Sequence, residues 1–440
     1  MLETLLAVPA IAKVLISLAV ISLLSAFRLR LILCVLTGTL ALAFWSGHTP
    51  AGMLSITWTR ISATNTVMLS GIILQVIWLS SQMDATGVMQ DLVESLLARF
   101  SRRTSVAVLP AVIGLLPMPG GALFSAPLVG RCDLDDSIPA TLKTQVNYWF
   151  RHVWEYWWPL YPGMLLAMDI SGLEAWQFML LGLPVTLAAI AVGGIFLLRK
   201  LQAPGHDPLA ARPPGQRLSF ISLVSPIVVV IASYGVIRVG YAELRAAWRA
   251  APEMNDYVPI AIGLLLAALF LQRQRPLAWR DWKGILGSTR APMMVAIVLT
   301  MQVYGAFINA PLPDGTRLAG SMARELAQLR IPLPVVIALL PFISGLTTGI
   351  AVGFVGASFP IVFNLLGDSP SVGMLLSTTV LAFGCGFLGV MLSPIHVCLV
   401  VTNQHFKTRL HRSLVGLLVP TATLMAIIVL WHIVVKRLWA

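Results

Sequence analysis

The sequence predicts an all-α membrane protein of about ten transmembrane helices in two inverted five-helix repeats, each with a re-entrant helical hairpin. Three observations carry this. The chain is 58% apolar and only 11% charged, against roughly 25% charged residues in soluble domains, so it cannot coat a water-facing surface of its size. Apolar stretches recur along the whole length, each close to the roughly 20 residues that a bilayer core demands. Two of them, 104–130 and 332–366, are interrupted midway by Gly and Pro.

In order, crossings are expected near 5–26, 29–46, 66–83, 138–168 and 174–198, then near 219–238, 257–272, 290–309, 371–402 and 413–435. The N-terminus has no basic segment ahead of its first apolar run, so that run reads as a retained helix rather than a cleaved signal. Residues 1–198 form the first repeat and 219–440 the second. The Pro-, Gly- and Arg-rich stretch 199–218 links them.

The stretch 104–130 breaks at Pro117-Met118-Pro119-Gly120-Gly121, and 332–366 at Ser344-Gly345-Leu346-Thr347-Thr348-Gly349. Each half is too short to cross alone, so two short helices meeting at a tip make a re-entrant hairpin. Irregular backbone at membrane depth is tolerated only where protein buries it or a cavity adjoins it. An amphipathic segment precedes each hairpin, over 84–103 and 314–330, as suits helices lying in the interface.

Duplication is read from ordered matches. Leu74-Gln75-Val76 recurs as Met301-Gln302-Val303 at an offset of 227, and Leu109-Pro110 with Gly114-Leu115 recurs as Leu340-Pro341 with Gly345-Leu346 at 231. Pro127 pairs with Pro360 at 233, Trp158-Pro159 with Ser393-Pro394 at 235, and Pro184 with Pro420 at 236. Five crossings per repeat is an odd number, so the second copy is inverted. The net charge of +12 arises from Lys and Arg in short loops, a topology signal rather than a nucleic-acid surface. With the linker placed in the cytoplasm, 19 basic residues fall on that side and 9 on the other. This puts both termini outside a multi-pass inner-membrane protein, with the first hairpin opening to the cytoplasm and the second to the periplasm.

The candidate site lies where the breaks would meet. Short helices aim N-terminal dipoles and unpaired N–H groups at bound anions, and nearby carbonyls can hold a small cation. The tips contribute Pro119, Gly120 and Gly121 from the first hairpin, and Ser344, Gly345, Thr347, Thr348 and Gly349 from the second. Following each hairpin, the next crossing is itself interrupted, at Pro159 and at Ser393-Pro394-Ile395-His396. Asn147, Arg151 and Glu155 are spaced by four, which on a helix places them on one face. A charge at such depth costs roughly 2.5–3.5 kcal/mol on insertion scales. Arg151 suits clamping an oxyanion through its planar fork, and Glu155 suits a coupling proton or sodium ion. The alternative is a pair that neutralises itself. His152 and His396 read either as hydrogen-bonded structural histidines or as proton carriers. Trp149, Trp154, Trp157, Trp158 and Tyr161 read as path-lining, packing or interfacial groups.

Cys34, Cys132, Cys385 and Cys398 form no CxxC or metal spacing and read as unbridged thiols acting as small apolar residues. No metal or cofactor is expected. The sequence has no HExxH, no nucleophile elbow and no glycine-rich phosphate loop, which argues against an enzyme and against ATP use.

Leu116-Pro117-Met118-Pro119-Gly120-Gly121-Ala122 resembles the hairpin motif of gluconate permease relatives. Asn147 to Pro162, with Phe342 to Pro360, resembles a bacterial and archaeal integral-membrane family of the ion-transporter superfamily, which also holds citrate and dicarboxylate carriers. The resemblance covers nearly the whole chain. It implies a homodimer with a scaffold domain and a mobile transport domain that moves by an elevator-type mechanism. Sodium-coupled carboxylate carriers of that superfamily have Ser-Asn-Thr at each tip. The tips here lack the Asn, which leaves proton coupling and antiport open. The expectation is a secondary active transporter of a small, anionic solute, with a proton or sodium ion and the lipid bilayer as its other partners. The alternative is a permease subunit or scaffold that works only with a partner such as a solute-binding protein.

Overall fold

In the computed structural model the chain is described except at residues 1–7, 28, 98–99, 116–120, 134–135, 202–219, 249–250, 313–314, 317, 368 and 440. Most of the linker 199–218 therefore lies outside the described residues, as do Pro117, Pro119 and Gly120 of the first tip. The helices of the first part are α1 (Ala10–Ala26), α2 (Leu31–Trp45), α3 (Pro50–Ser62), α4 (Thr64–Ala85), α5 (Val88–Leu97), α6 (Arg102–Gly114), α7 (Ala122–Arg131), α8 (Ala140–Arg151), α9 (Pro162–Ser171) and α10 (Ala175–Phe196). Those of the second are α11 (Phe220–Ala247), α12 (Tyr257–Gln274), α13 (Trp279–Leu286), α14 (Arg290–Asn309), α15 (Leu318–Gln328), α16 (Leu333–Thr348), α17 (Ala351–Asn364), α18 (Val372–Met391), α19 (Val397–His405) and α20 (Leu410–Leu438).

Among the described residues, seven helical stretches are long and apolar enough to cross a bilayer. The chain folds as an integral membrane protein. Burial separates the roles of the seven. The α18 window is 89% buried inside the protein, whereas the α11 window is 6% buried. The first is a central packing axis; the second presents its side chains to lipid.

Both interrupted stretches are broken as expected. The longest of their four helices, α16, has 16 residues, roughly 24 Å at 1.5 Å per residue, against a hydrocarbon core of roughly 30 Å. At the second break Gly349 caps α16 in the left-handed region, with φ of 67°, a conformation that glycine adopts without a Cβ penalty. The two later segments are broken as well. Between α8 and α9 lie a 3-10 turn, Val153–Tyr156, and an irregular stretch. Leu392 to His396 separates α18 from α19.

The amphipathic segments before the hairpins form α5 and α15. Two short helices, α3 and α13, were not foreseen. Thr49 accepts the Gly52 N–H at 3.2 Å and Pro50 occupies the first turn of α3, a start signal of the ordinary kind. Both helices mix apolar with polar residues, so neither stands out from a loop by hydropathy.

Glycine sets how closely the central helices approach. A Cβ on Gly345 of α16 would overlap the Gly386 carbonyl of α18, and one on Gly389 would overlap the Phe342 carbonyl. Backbone contact of this kind drives helix association in lipid, where no hydrophobic gain is available between apolar surfaces. At the other end of the fold, the Glu325 carboxylate of α15 takes the Ala10 and Ile11 N–H groups at 2.7 and 2.8 Å. It thereby satisfies orphan donors at the start of α1.

Gly345→Ala is expected to destabilise the protein by roughly 1–3 kcal/mol through overpacking, read as a lowered melting temperature in detergent. Gly71→Ala on α4, where an added Cβ meets nothing within 4 Å, is expected to leave stability unchanged or raise it by up to about 1 kcal/mol.

Candidate functional site

A cavity of about 180 Å³ lies where the broken segments meet, lined in part by Arg151, His152, Glu155, Tyr161, His396 and Cys398. The lining includes the starts of three helices: Pro162 and Gly163 of α9, Ile350 to Val352 at α17, and Val397 and Cys398 of α19. A fourth start, that of α7, reaches the same place. A Cβ on Gly121 would overlap the Arg151 guanidinium, so the absence of a side chain there lets Arg151 lie against the first break. None of these four helices has a side-chain cap at its N-terminus. Their first turns rely instead on backbone carbonyls, such as those of Gly121, Tyr161 and Ile350, and α9 opens on Pro162, which has no N–H to satisfy.

The geometry links the two tips in one chain of contacts. Gly121 abuts Arg151, and Arg151 Nη1 lies 3.3 Å from His152 Nε2. His152 Nε2 lies 3.1 Å from His396 Nε2. A Cβ on Gly349 would sit 3.1 Å from both the His396 backbone nitrogen and the Ser393 hydroxyl. Arg151, His152, Glu155, Ser393 and His396 are all buried.

Local structure explains the placement. α8 ends at Arg151, with His152 at φ −106° as its cap. The expectation that Asn147, Arg151 and Glu155 share one helix face therefore fails at its last member: Glu155 belongs to the 3-10 turn. The turn still brings it to the cavity, with Oε1 3.7 Å from His152 Nε2. Asn147 does not line the cavity. Its Nδ2 donates to Thr402 Oγ1 at 3.0 Å, tying α8 to α19.

The second tip also departs from expectation. Thr347 Oγ1 donates to the Ile343 carbonyl at 2.8 Å, and Thr348 Oγ1 to the Ser344 carbonyl at 2.7 Å. Both hydroxyl protons are committed within α16. Thr347 also accepts from Ser22 of α1 at 2.9 Å. Gly345 packs α16 against α18. None of Ser344, Gly345, Thr347 and Thr348 lines the cavity; the tip's contribution comes through Gly349 and the start of α17.

The aromatic run divides. Trp149 Nε1 donates to the Ala189 carbonyl at 2.9 Å and Trp154 Nε1 to the Ala111 carbonyl at 2.7 Å. These rings pack and anchor backbone. Tyr161 lines the cavity and donates to the Gly114 carbonyl at the end of α6. The residue that sequence reasoning passed over is Cys398, read as a small apolar thiol. Its one signal was its position two residues after His396, just past the second break.

A search of curated proteins gives no match to this chain. Among solved structures, the YdaH transporter of Alcanivorax borkumensis, whose crystal structure revealed an unusual topology, is similar over 88% of this chain and 89% of its own, with a TM-score of 0.57 at 13% identity. The two share a fold. By sequence, residues 7–246 and 260–435 match a family described as protein of unknown function, DUF401.

With Cys34, Cys132 and Cys385 replaced by Ala, small methanethiosulfonate reagents are expected to label Cys398. The anionic reagent should react faster than the cationic one by on the order of tenfold, because Arg151 and the helix starts attract it. Mass spectrometry reads the rates; a faster cationic reagent would show that the cavity does not favour anions.

Proposed function

The chain belongs to the DUF401 family, and from that footing we propose that it is a secondary active transporter of a small organic anion, coupled to a proton or sodium gradient. The observation that carries the proposal is the convergence of four uncapped helix starts and Arg151 on one small cavity. Helix starts carry partial positive charge, which Arg151 reinforces. An anionic solute, with water, is the occupant that complements both. The volume of about 180 Å³ suits a solute of a few carbons. Arg151 supplies a fixed charge and a planar fork, and Glu155 is the titratable group beside it, the candidate for the coupling ion.

The order of elements supports the inverted duplication. From α1 to α10 the chain runs through two helices, a short helix, a long one, an amphipathic one, a broken pair, a broken segment and a long helix; α11 to α20 repeat that order. Breaks at matching places in oppositely oriented repeats, facing each other near the midplane, are a recurrent plan of secondary transporters. Resemblance to the ion-transporter superfamily and the shared fold of a protein described as a transporter favour the same reading. Under it, the hairpins and broken segments move as a transport domain against the remaining helices, in a homodimer.

The test is uptake by proteoliposomes of short mono- and dicarboxylates under imposed pH and sodium gradients. Arg151→Ala is expected to weaken apparent affinity roughly tenfold to a hundredfold, the value of a charge-assisted hydrogen bond of about 1.5–3 kcal/mol. Glu155→Gln is expected to abolish acceleration by the gradient while exchange of solute across the membrane persists. Unchanged affinity in Arg151→Ala removes the anion clamp. Gradient-driven accumulation intact in Glu155→Gln removes the coupling role. No accumulation of any carboxylate under either gradient sinks the transport reading itself.

A further inference from the structure

The cavity holds a second chemistry that anion binding does not use. His152, His396 and Cys398 each bring one ligand atom to a common point, all within 4.8 Å of one another, and all three residues are buried. They come from distant parts of the chain, joined by the meeting of the two broken segments. The tautomer of His152 is fixed by its surroundings. Nδ1 lies 2.6 Å from the Tyr148 carbonyl; a carbonyl only accepts, so Nδ1 carries the proton and Nε2 presents its lone pair. A backbone carbonyl holding the far nitrogen is the usual support of a metal-binding imidazole. His396 Nε2 faces that lone pair at 3.1 Å, with the rings edge to face.

We propose that His152, His396 and Cys398 bind a divalent transition-metal ion of the zinc class, with the Glu155 carboxylate, 3.7 Å from His152 Nε2, as the fourth ligand. Two imidazoles and a sulfur select a borderline ion over sodium, magnesium or calcium, which take oxygen ligands. Bond lengths of about 2.0–2.3 Å put tetrahedral ligands roughly 3.3–3.8 Å apart. The two imidazole nitrogens already lie near that spacing, and the sulfur lies within 4.8 Å of both. Binding exchanges the thiol proton for a sulfur–metal bond and releases that proton to solvent; His396 Nε2, the donor to His152 Nε2 in the 3.1 Å pair, ligates once its proton passes to its own Nδ1. Arg151, 3.3 Å from His152 Nε2, opposes the cation. The site therefore needs both the thiolate and the carboxylate to hold it. With both engaged, the metal, Cys398, Glu155 and Arg151 sum to one positive charge, which an anion in the same cavity neutralises.

The test uses the full chain in detergent, free of a polyhistidine tag, under reductant, titrated with Co²⁺ alone. The expected result is one Co²⁺ per chain, with visible d–d bands of tetrahedral intensity and a near-ultraviolet sulfur-to-cobalt band, both displaced by Zn²⁺. Cys398→Ser loses the near-ultraviolet band and binds at least roughly tenfold more weakly, whereas Cys385→Ala keeps both. A second measurement needs no variant: Zn²⁺ should slow alkylation of Cys398 in the wild-type chain. Absence of a saturable band, persistence of the sulfur band in a monodisperse Cys398→Ser protein, or alkylation indifferent to Zn²⁺ overturns the site. None of these readings involves uptake, so loss of the metal proposal and loss of the transport proposal are told apart.

Discussion

The constraint on which the structure turns is the backbone donor that a broken helix leaves at membrane depth. A continuous helix satisfies its own N–H groups; each break exposes the first turn of a new helix, and lipid offers no acceptor. Four such starts, at Ala122, Pro162, Ala351 and Val397, would be ruinous if scattered. Gathered around one cavity they share whatever occupies it. The same gathering raises the cost of Arg151 in the interior. A guanidinium repels the positive ends of helices, so it gains no relief from them. An anion and the Glu155 carboxylate are the groups that answer both.

Holding the starts together is a matter of backbone proximity. Gly114 lets the Arg151 carbonyl approach α6, Gly163 admits Ala351 of α17, and Gly182 admits the Tyr156 carbonyl. Each contact joins a break to a neighbouring helix across a glycine that has no side chain of its own. Side-chain hydrogen bonds then fix the irregular segments: Thr186 of α10 donates to the Val153 carbonyl at 3.1 Å, and Trp154 and Tyr161 take carbonyls near the end of α6. These bonds fasten the irregular stretch between α8 and α9 to its neighbours.

The breaks were legible because Pro and Gly leave marks in an apolar run that no packing argument can erase. The break at Gly349, the two broken segments and the amphipathic helices all fall where composition put them. Arg151, Glu155 and His396 were legible as polar groups that lipid would not tolerate idly. What the sequence hid was direction. Spacing of four places Asn147 with Arg151 and Glu155 only while the helix continues, and it stops at Arg151. Hydroxyls at the second tip looked like ligands, but in an apolar setting a threonine binds the carbonyl one turn back, as Thr347 and Thr348 do. Cys398 was invisible for the opposite reason. A thiol among apolar residues reads as packing, and only the fold shows that it lies beside two imidazoles.

One more network limits how the cavity can change. α9 begins at the cavity with Pro162 and Gly163, and near its other end Asp169 gathers three helices. The Asp169 carboxylate takes Arg60 of α3 at 2.8 Å, Gln302 of α14 at 2.6 Å and Tyr257 of α12 at 3.0 Å. Its side chain is 3% exposed, while that of Arg60 is 31% exposed. Removing partners from a carboxylate so enclosed leaves a buried charge, at a cost of several kcal/mol. A ten-residue helix is too short and stiff to let its start move while its end stays. Any motion that opens the cavity through α9 must therefore carry α3, α12 and α14 along, or part them at the Arg60 side, where water can replace the guanidinium. A solute held at the start of α9 drives that parting only by the difference in its affinity for the two arrangements. Within a rigid frame, the free energy of binding at the cavity and the integrity of the Asp169 network are thus two ends of one coupling, carried by one ten-residue helix.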